Sequence, residues 1–285
     1  MDVTYEGTKK EIATDKGVLH YHEAGDPGAP PLLLLHGSGP GVTGWRNYRG
    51  NLEFFARTHH TFILEFPGFG VSDPWEGMPV LTAGKSVIAF MDALGIESAP
   101  MIGNSMGGVV GVNLAIKKPD RVAKLVTIGG VGPNLTSPSP SEGLRLLQEF
   151  ADAPDRDKLV RWLRAMVYDR AVVTDQLIEE RWEAAMNADA LETGRQMYGS
   201  ASFEMQQAFL AEADFPPYWA MMHKISCPTL LTWGRDDRVS PPDMALVPMR
   251  LIPNAELHIF PRCGHWVMIE AKAAFEATVS AFLAR

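Results

Sequence analysis

The sequence predicts an α/β protein in which a mostly parallel sheet is flanked by helices and carries an inserted, all-helical cap. In residues 1–130 and again in residues 218–285, apolar runs alternate with segments of helical period, as expected where strands and helices follow one another. From about residue 129 to residue 217, helical patterns occur without a convincing strand pattern. We therefore predict a core of residues 1–130 and 218–285, and a helical cap of residues 131–217.

The predicted strands are short segments rich in Val, Leu, Ile and Phe. Residues 31–35 form a continuous apolar run, the pattern of a strand buried on both faces of a parallel sheet. An earlier segment, residues 18–24, alternates and is rich in β-formers, which indicates an antiparallel strand. Further strands are predicted at 61–65, 99–102, 124–128, 229–234 and 256–260.

The predicted helices fall into two groups. Core helices are expected at 45–56, at 85–94, directly after Ser105, around 244–249 and at 271–283. Cap helices are expected at 144–150, 158–168, 175–186 and around 199–210, and the cap closes with Asp214-Phe215-Pro216-Pro217. A helical insertion between strands is best interpreted as a lid over the active-site end of the sheet.

Composition limits the classes of function. The formal net charge is −8 at pH 7, whereas a nucleic-acid-binding protein normally carries a basic face. No apolar segment approaches the length of a membrane span, and residues 1–6 lack the basic and apolar regions of a signal peptide. The two cysteines do not make a disulfide framework, and the histidines lack metal-ligand spacing. We expect a cytoplasmic protein without a metal, a membrane partner or a nucleic-acid partner.

The segment Gly103-Asn104-Ser105-Met106-Gly107 joins a predicted strand to a predicted helix. A Gly-x-Ser-x-Gly turn in this setting is a nucleophile elbow, a strained turn that exposes the serine hydroxyl at the start of the helix. The flanking glycines are needed because the backbone and the helix approach too closely for a Cβ atom. Ser105 is therefore the candidate nucleophile, with a simple helix N-cap as the alternative.

A serine nucleophile needs a base, and the base needs an orienting acid. In this architecture the acid and the histidine follow the serine in that order, each in a loop after a strand. Asp236 and Asp237 follow the predicted strand 229–234, and His265 follows the last predicted strand. We choose Asp237 because the Gly-x-x-Asp spacing is usual there, and keep Asp236 as the reserve.

The oxyanion that forms during acyl transfer needs two backbone N–H donors. The N–H of Met106, directly after the nucleophile, is the first candidate. The second should come from the glycine-rich loop that follows residues 31–35, most simply from Ser38. Gly37 and Gly39 would let this loop approach the substrate closely.

Four motifs together resemble those of the meta-cleavage product hydrolases, which are α/β-hydrolases of bacterial aromatic and steroid degradation. The likeness covers nearly the whole chain, includes the cap motif Arg181-Trp182-Glu183-Ala184, and is most specific at the Asn before the serine and at the Ser-Gly-Pro-Gly loop. The motifs are His36-Gly37-Ser38-Gly39-Pro40-Gly41 with Trp45 and Asn47, Gly103-Asn104-Ser105-Met106-Gly107-Gly108, Gly234-Arg235-Asp236-Asp237-Arg238, and Cys263-Gly264-His265-Trp266.

The resemblance implies an α/β-hydrolase fold and cofactor-free hydrolysis of a carbon–carbon bond in a small molecule, a 2-hydroxy-6-oxohexa-2,4-dienoate. It implies that Arg181 binds the carboxylate or 2-oxo end, which suits a planar guanidinium. Asn47, Asn104 and Trp266 would line the polar side of the site. Because the family is often dimeric, a homodimer is the expectation by analogy.

Three departures from the family pattern leave the triad unchanged, and two of them concern the pocket. Val239-Ser240 follow Arg238, where relatives often have an aromatic residue, and Val267-Met268-Ile269 follow Trp266, where many have a second Trp. Both changes would reshape the apolar pocket, with Val239 in its wall. Glu65 stands where an Asp is usual, and we interpret it as structural.

Competing hypotheses remain at this level. The same triad would serve a carboxylesterase or lactonase, and the fold could serve a non-catalytic small-molecule receptor. Arg181 lies between acidic neighbours and could be a salt-bridging surface residue. Residues 39–44 formally match Gly-x-Gly-x-x-Gly, but Pro40 removes an N–H from the loop that would bind a dinucleotide phosphate.

Overall fold

The computed structural model describes residues 3–212 and 216–285, with side chains described throughout except at 206, 207 and 209–211. Within these residues, eight strands form one sheet in the order β1-β2-β4-β3-β5-β6-β7-β8. β1 and β2 are antiparallel to their neighbours, and the pairs from β4 to β8 are parallel. The predicted α/β class and the mostly parallel sheet are confirmed. The strands are Lys9–Thr14 (β1), Gly17–Ala24 (β2), Pro31–Leu35 (β3), His60–Leu64 (β4), Ala99–Asn104 (β5), Val122–Ile128 (β6), Thr229–Gly234 (β7) and Ala255–Phe260 (β8).

The helices of the core lie before, between and after the strands, while α5 to α9 lie between β6 and β7. Short 3-10 segments, of which Pro242–Ala245 is one, connect some of the elements. The helices are Tyr5–Thr8 (α1), Gly44–Phe55 (α2), Pro79–Ala93 (α3), Met106–Lys117 (α4), Glu142–Asp152 (α5), Arg156–Met166 (α6), Asp175–Ala185 (α7), Ala188–Tyr198 (α8), Ser200–Glu212 (α9), Leu246–Leu251 (α10), Val267–Glu270 (α11) and Lys272–Leu283 (α12).

The strands of the central sheet are buried on both faces, as the apolar runs predict. Along β3, Leu33 and Leu35 pack into one hydrophobic cluster, and Leu32 and Leu34 pack into the cluster on the opposite face. Successive side chains of a strand point to opposite faces, so one run of leucines contributes to both layers. The core therefore consists of two helix-on-sheet layers that share this sheet.

Three cap helices begin after N-cap residues whose side chains accept hydrogen bonds from N–H groups of the first helical turn. Ser141, Asp155 and Thr174 precede α5, α6 and α7, and each accepts a hydrogen bond from the N–H three residues later, at 3.4, 2.8 and 3.1 Å. The described residues of the insertion form helices and connecting loops without a strand, as predicted. The boundaries at 130/131 and 217/218 stay predictions, and Asp214 and Phe215 of the predicted cap end lie outside the described residues.

Several elements differ from the sequence prediction. Strand β1, helix α8 and the short helices α1 and α11 were not predicted, and α3 begins at Pro79 rather than at 85. Strand β1 pairs on one side only, and its side chains are mostly exposed, so it lacks an apolar pattern. Helix α3 starts six residues early because proline suits the first helical turn. Across the described residues, the helices are all too short or too polar to cross a membrane.

The turn between β5 and α4 is the tightest crossing near the sheet centre. A Cβ atom on Gly107 would lie 2.1 Å from the carbonyl oxygen of Leu35, and one on Gly103 would lie 2.3 Å from the carbonyl carbon of Gly107. Both contacts are with backbone, which cannot rotate away. The glycines predicted for the elbow are thus required by the approach of β3 and α4 to its backbone.

We expect Gly107→Ala to lower the free energy of unfolding by roughly 2–4 kcal/mol, because the new methyl group overlaps backbone atoms of β3. Gly84→Ala is the matched control, since a Cβ atom there meets nothing within 4 Å. Because Gly84 lies within α3, that substitution should be neutral or stabilising by up to about 1 kcal/mol. Urea unfolding followed by circular dichroism measures both, and equal stabilities would contradict the steric argument.

Candidate active site

Ser105 occupies the elbow in a conformation that few non-glycine residues adopt. Its φ is 50° and its ψ is −111°, as expected for a strained turn that presents a side chain. The Ser105 side chain makes no capping hydrogen bond to α4, so the N-cap interpretation is not supported. The hydroxyl instead lies at the wall of a large cavity beneath the cap.

His265 and Asp237 form a buried hydrogen-bonded pair beside the same cavity. Asp237 Oδ2 lies 2.7 Å from His265 Nδ1, and both residues are at most 4% exposed. The other oxygen, Oδ1, accepts the N–H groups of Val239 and Ser240 at 2.8 and 2.9 Å. The carboxylate is therefore fixed by its own loop, and the imidazole presents its Nε2 edge away from Asp237. Asp236, the reserve acid, instead pairs with Arg235 near the surface.

The loop after β3 is held by His36 and Asn47. The N–H of Phe66 donates to His36 Nε2 at 3.0 Å, so Nδ1 carries the proton and donates to the Gly37 carbonyl at 2.6 Å. Complete burial lowers the pKa of His36 to about 4 and keeps it neutral. Asn47 Oδ1 accepts the Gly37 N–H at 2.9 Å, which leaves the N–H of Ser38 as the next donor of this loop.

Ser38 and Met106 are the two predicted oxyanion-hole donors. Each lines the large cavity together with Ser105 and His265. Met106 is the first residue of α4, and the N–H groups of a first helical turn have no intrahelical acceptor. The Ser38 hydroxyl hydrogen-bonds the Tyr198 hydroxyl of the cap. The arrangement can stabilise negative charge that develops beside Ser105.

Glu65 supports the start of α2, as its structural interpretation predicts. Its carboxylate accepts the N–H groups of Gly44 and Trp45 at 2.7 and 3.0 Å. Burial raises the pKa of Glu65, and these two hydrogen bonds oppose that increase. The residue therefore holds the helix that carries Asn47, rather than facing the cavity.

The cavity above Ser105 has a volume of about 730 Å³ and mainly apolar walls. Its floor comes from the core, and its roof from α5, α6, α8 and α9 of the cap. Val239 lies in the wall, as the sequence comparison with relatives implies, and Trp162 and Met166 of α6 lie opposite. A volume of this size suits a small-molecule ligand.

Three of the predicted substrate-binding residues do not line the large cavity, and their role in substrate binding stays a prediction. Arg181, Asn47 and Trp266 line a second cavity of about 290 Å³. Arg181 donates from Nε to the Pro40 carbonyl at 2.8 Å, and its guanidinium lies 5.3 Å from the Trp162 ring centroid. Because Trp162 also lines the large cavity, this stacked pair separates two neighbouring cavities.

The remaining predicted contacts are packed between loops. Asn104 is 2% exposed and donates to the Ile128 carbonyl at 3.2 Å. A Cβ atom on Gly37 would lie 2.7 Å from Asn104 Oδ1, and one on Gly39 would lie 2.6 Å from the Trp162 ring. In this structure these residues shape the loops around Ser105, and they do not line the large cavity.

Sequence reasoning missed three residues that support the site. A Cβ atom on Gly130 would lie 2.6 Å from Ser105 Cα, and one on Gly129 would lie 3.2 Å from Asp237 Oδ2. Both glycines have positive φ. Glu270 accepts the Gly264 N–H at 2.7 Å and two cap N–H groups. The Gly-Gly pair after β6 was a usable signal, whereas nothing in the pattern distinguishes Glu270.

No cluster of metal-ligating side chains occurs within residues 3–212 and 216–285.

The sheet order, the elbow and the strand-end loops define an α/β-hydrolase. A family model described as alpha/beta hydrolase fold matches residues 30–272. A 2-hydroxy-6-oxononadienedioate/2-hydroxy-6-oxononatrienedioate hydrolase from Burkholderia vietnamiensis is 39% identical over 277 residues, or 94% of this chain and 91% of that protein. A 2-hydroxy-6-oxo-6-phenylhexa-2,4-dienoate hydrolase from Burkholderia cepacia is 35% identical and covers 98% of each chain.

A solved structure agrees with these relatives over nearly the same length. The meta-cleavage product hydrolase from Pseudomonas fluorescens, complexed with acetates, is 30% identical, matches with a TM-score of 0.85 and covers 97% of each chain. The protein therefore belongs to the meta-cleavage product hydrolases within the α/β-hydrolase family, as the motifs predict.

We expect Asp237→Asn to lower kcat for hydrolysis by roughly a thousandfold, because an amide does not stabilise the imidazolium or fix its tautomer. The Asn carbonyl can still accept the Val239 and Ser240 N–H groups, so the fold should be retained. Asp236→Asn is the matched control and should leave kcat within about twofold. Steady-state kinetics of both variants checks this, and a comparable loss in the control would mean that the acid has been assigned wrongly.

Proposed function

We propose that the protein hydrolyses the C5–C6 bond of a 2-hydroxy-6-oxohexa-2,4-dienoate formed by ring cleavage of an aromatic compound. The observation that carries the proposal is the buried His265–Asp237 pair, which faces the same cavity as the elbow serine. Relatives that are 35–39% identical over nearly the full chain bear the names of such hydrolases. Ser105 is the proposed nucleophile, His265 its base and Asp237 the orienting acid.

In the proposed reaction, the 2-hydroxydienoate first ketonises, so that the C5 carbon can leave as a stabilised carbanion equivalent. Ser105 Oγ then adds to the C6 carbonyl as its proton moves to His265 Nε2. The N–H groups of Ser38 and Met106 would stabilise the oxyanion. Cleavage of the C5–C6 bond passes its electrons through the C3–C4 double bond to the 2-oxo oxygen, which takes up the proton held by His265, because C5 already gained its hydrogen on ketonisation.

Water then attacks the acyl-enzyme, with His265 as the general base, and releases the free serine. One water molecule is consumed for each bond that is cleaved. The products are 2-hydroxypenta-2,4-dienoate and the carboxylic acid that carries the 6-substituent. The burial of His265 and Asp237 supports this scheme, because an ion pair formed on protonation of His265 is strengthened where water is excluded.

Arg181 is the proposed binding group for the carboxylate end of the substrate. Its Nη2 is buried and has no hydrogen-bond partner in the described part of the chain. Burial and the nearby Arg46 lower the pKa of Arg181 to about 9, which still leaves the guanidinium charged at neutral pH. A carboxylate would satisfy both the free N–H groups and the buried charge. This role requires Arg181 to be reached from the large cavity by movement of the Trp162 ring.

The competing functions differ in what they require. An esterase or lactonase would use the same triad without needing Arg181, and a receptor would bind a ligand without turnover.

We expect kcat/KM to be higher by at least about 100-fold for a 6-substituted hydroxyoxohexadienoate than for a p-nitrophenyl ester, because only the dienoate has a group for Arg181. Steady-state assays that measure kcat/KM for both substrates distinguish the C–C hydrolase from the esterase. A large preference for the ester would favour the esterase, and failure of Ser105 to react with a serine-directed phosphonate would favour the receptor.

We expect Arg181→Ala to reduce kcat/KM for the dienoate by about 100-fold and for the uncharged ester by less than about tenfold. Arg49→Ala is the matched control, because Arg49 lines the same second cavity but is half exposed and pairs with Glu180. That variant should change neither substrate by more than about threefold. Equal losses on both substrates in Arg181→Ala would remove Arg181 from substrate binding.

A further inference from the structure

The walls of the large cavity are unusually rich in methionine. Six of the 14 methionines of the chain line it, and they come from both the core and the cap. The thioether side chain is flexible and polarisable, so it adapts to large apolar groups of different shape. The six are Met78, Met106, Met166, Met197, Met205 and Met244.

Several polar side chains in these walls are hydrogen-bonded to protein partners, whereas Trp162 Nε1 is buried without one in the described part of the chain. The hydroxyl groups of Ser38 and Tyr198 form a hydrogen bond with each other. The Gln196 amide donates to Glu192 at 3.0 Å, which brings a carboxylate rather than a cation to this side. Neither lysine nor arginine occurs among the lining residues that the structure describes. Residues 206–215, which follow the lining residue Met205, contain neither residue type in the sequence.

The cationic side chains near the site gather at the second cavity instead. Arg46, Arg49, Arg181 and Lys272 line it, and Glu180 is the acidic residue among the lining residues described there. Two guanidinium nitrogens on its walls, Arg46 Nε and Arg181 Nη2, are buried without a hydrogen-bond partner in the described part of the chain, although Arg46 Nε lies 3.9 Å from the Glu180 carboxylate. The two cavities thus differ in charge, with one suited to a carboxylate and the other to a neutral apolar group.

This difference bears on the names of the relatives. The relative from Burkholderia vietnamiensis is named for dioate substrates, which carry a second carboxylate at the end of the 6-substituent, whereas the relative from Burkholderia cepacia is named for a 6-phenyl substrate. We propose that this protein selects substrates with a large, uncharged, apolar 6-substituent and discriminates against the dioate. The inference rests on the proposed function and adds the substrate class.

The physical reason is the cost of desolvating a carboxylate. An ionised carboxylate placed against apolar walls loses its hydration and finds no cation to replace it, so its burial is unfavourable. A phenyl or alkyl group of the same size instead gains by leaving water. The walls therefore favour the neutral substituent and also repel the charged one, which is an effective way to achieve selectivity.

The test compares two substrates that differ in one terminal group. The dioate is 2-hydroxy-6-oxonona-2,4-dienedioate, and its neutral counterpart, 2-hydroxy-6-oxonona-2,4-dienoate, ends in a methyl group on the same carbon chain. We expect kcat/KM for the neutral substrate to be higher by on the order of 100-fold, and the 6-phenyl substrate to be accepted as well. A dioate that is turned over as well as or better than the neutral counterpart would overturn the inference.

A substitution at the mouth of the cavity tests whether the missing cation causes the selectivity. Met205 is exposed, so Met205→Lys should fold, and Met205→Leu is its matched control. We expect only the lysine variant to shift the ratio of kcat/KM values towards the dioate, by about fivefold or more. An unchanged ratio would overturn the assignment of selectivity to these walls. If all three dienoates are inert while a p-nitrophenyl ester is hydrolysed, it is the proposed carbon–carbon hydrolysis that fails, and the specificity inference fails with it.

Discussion

The active-site end of this protein depends on how closely the backbones of β3, β5 and α4 pass one another. Gly107 touches the carbonyl of Leu35, and Gly103 touches the first turn of α4. This contact forces the chain to turn within one residue, and Ser105 takes up the turn with a positive φ. The exposure of the serine is therefore a consequence of backbone packing rather than of its own contacts.

The other loops meet at the same place because the parallel strands end almost level. Leu35 pairs with Gly103, Asn104 with Ile128, and Ile128 with Thr232, while Gly234 pairs with Phe260 at the edge. Each loop then begins at nearly the same height. Carboxylates fix the surrounding backbone through N–H groups: the buried Asp237 and Glu65 and the partly buried Glu270 each accept two or more. A site whose dipoles are fixed before substrate arrives need not reorganise during the reaction.

Sequence reasoning succeeded where a local steric or spacing rule applies, and it failed where distant parts of the chain meet. The glycines of the elbow and the helical insertion follow from such rules, as does the pairing of Asp237 with His265, while the catalytic role of Ser105 stays a prediction. Strand β1 was missed because an exposed edge strand has no apolar signature. The separation of Arg181 from the large cavity was not predictable, since it depends on the Trp162 ring, which the cap brings against the loop at Gly39.

The cap and the histidine loop share hydrogen bonds, so the pocket walls and the catalytic geometry are not independent. The N–H of His265 donates to the Met166 carbonyl at 2.7 Å. Shortly after Met166, the N–H groups of Tyr168 and Asp169 donate to the Glu270 carboxylate at 2.8 and 2.9 Å. Met166 also lines the large cavity. A change of wall volume at the end of α6 therefore acts on the position of His265 as well as on the fit of the substrate. Because of this coupling, substitutions that adapt the pocket to a new substituent are expected to alter kcat and KM together, and those far from α6 to alter KM alone.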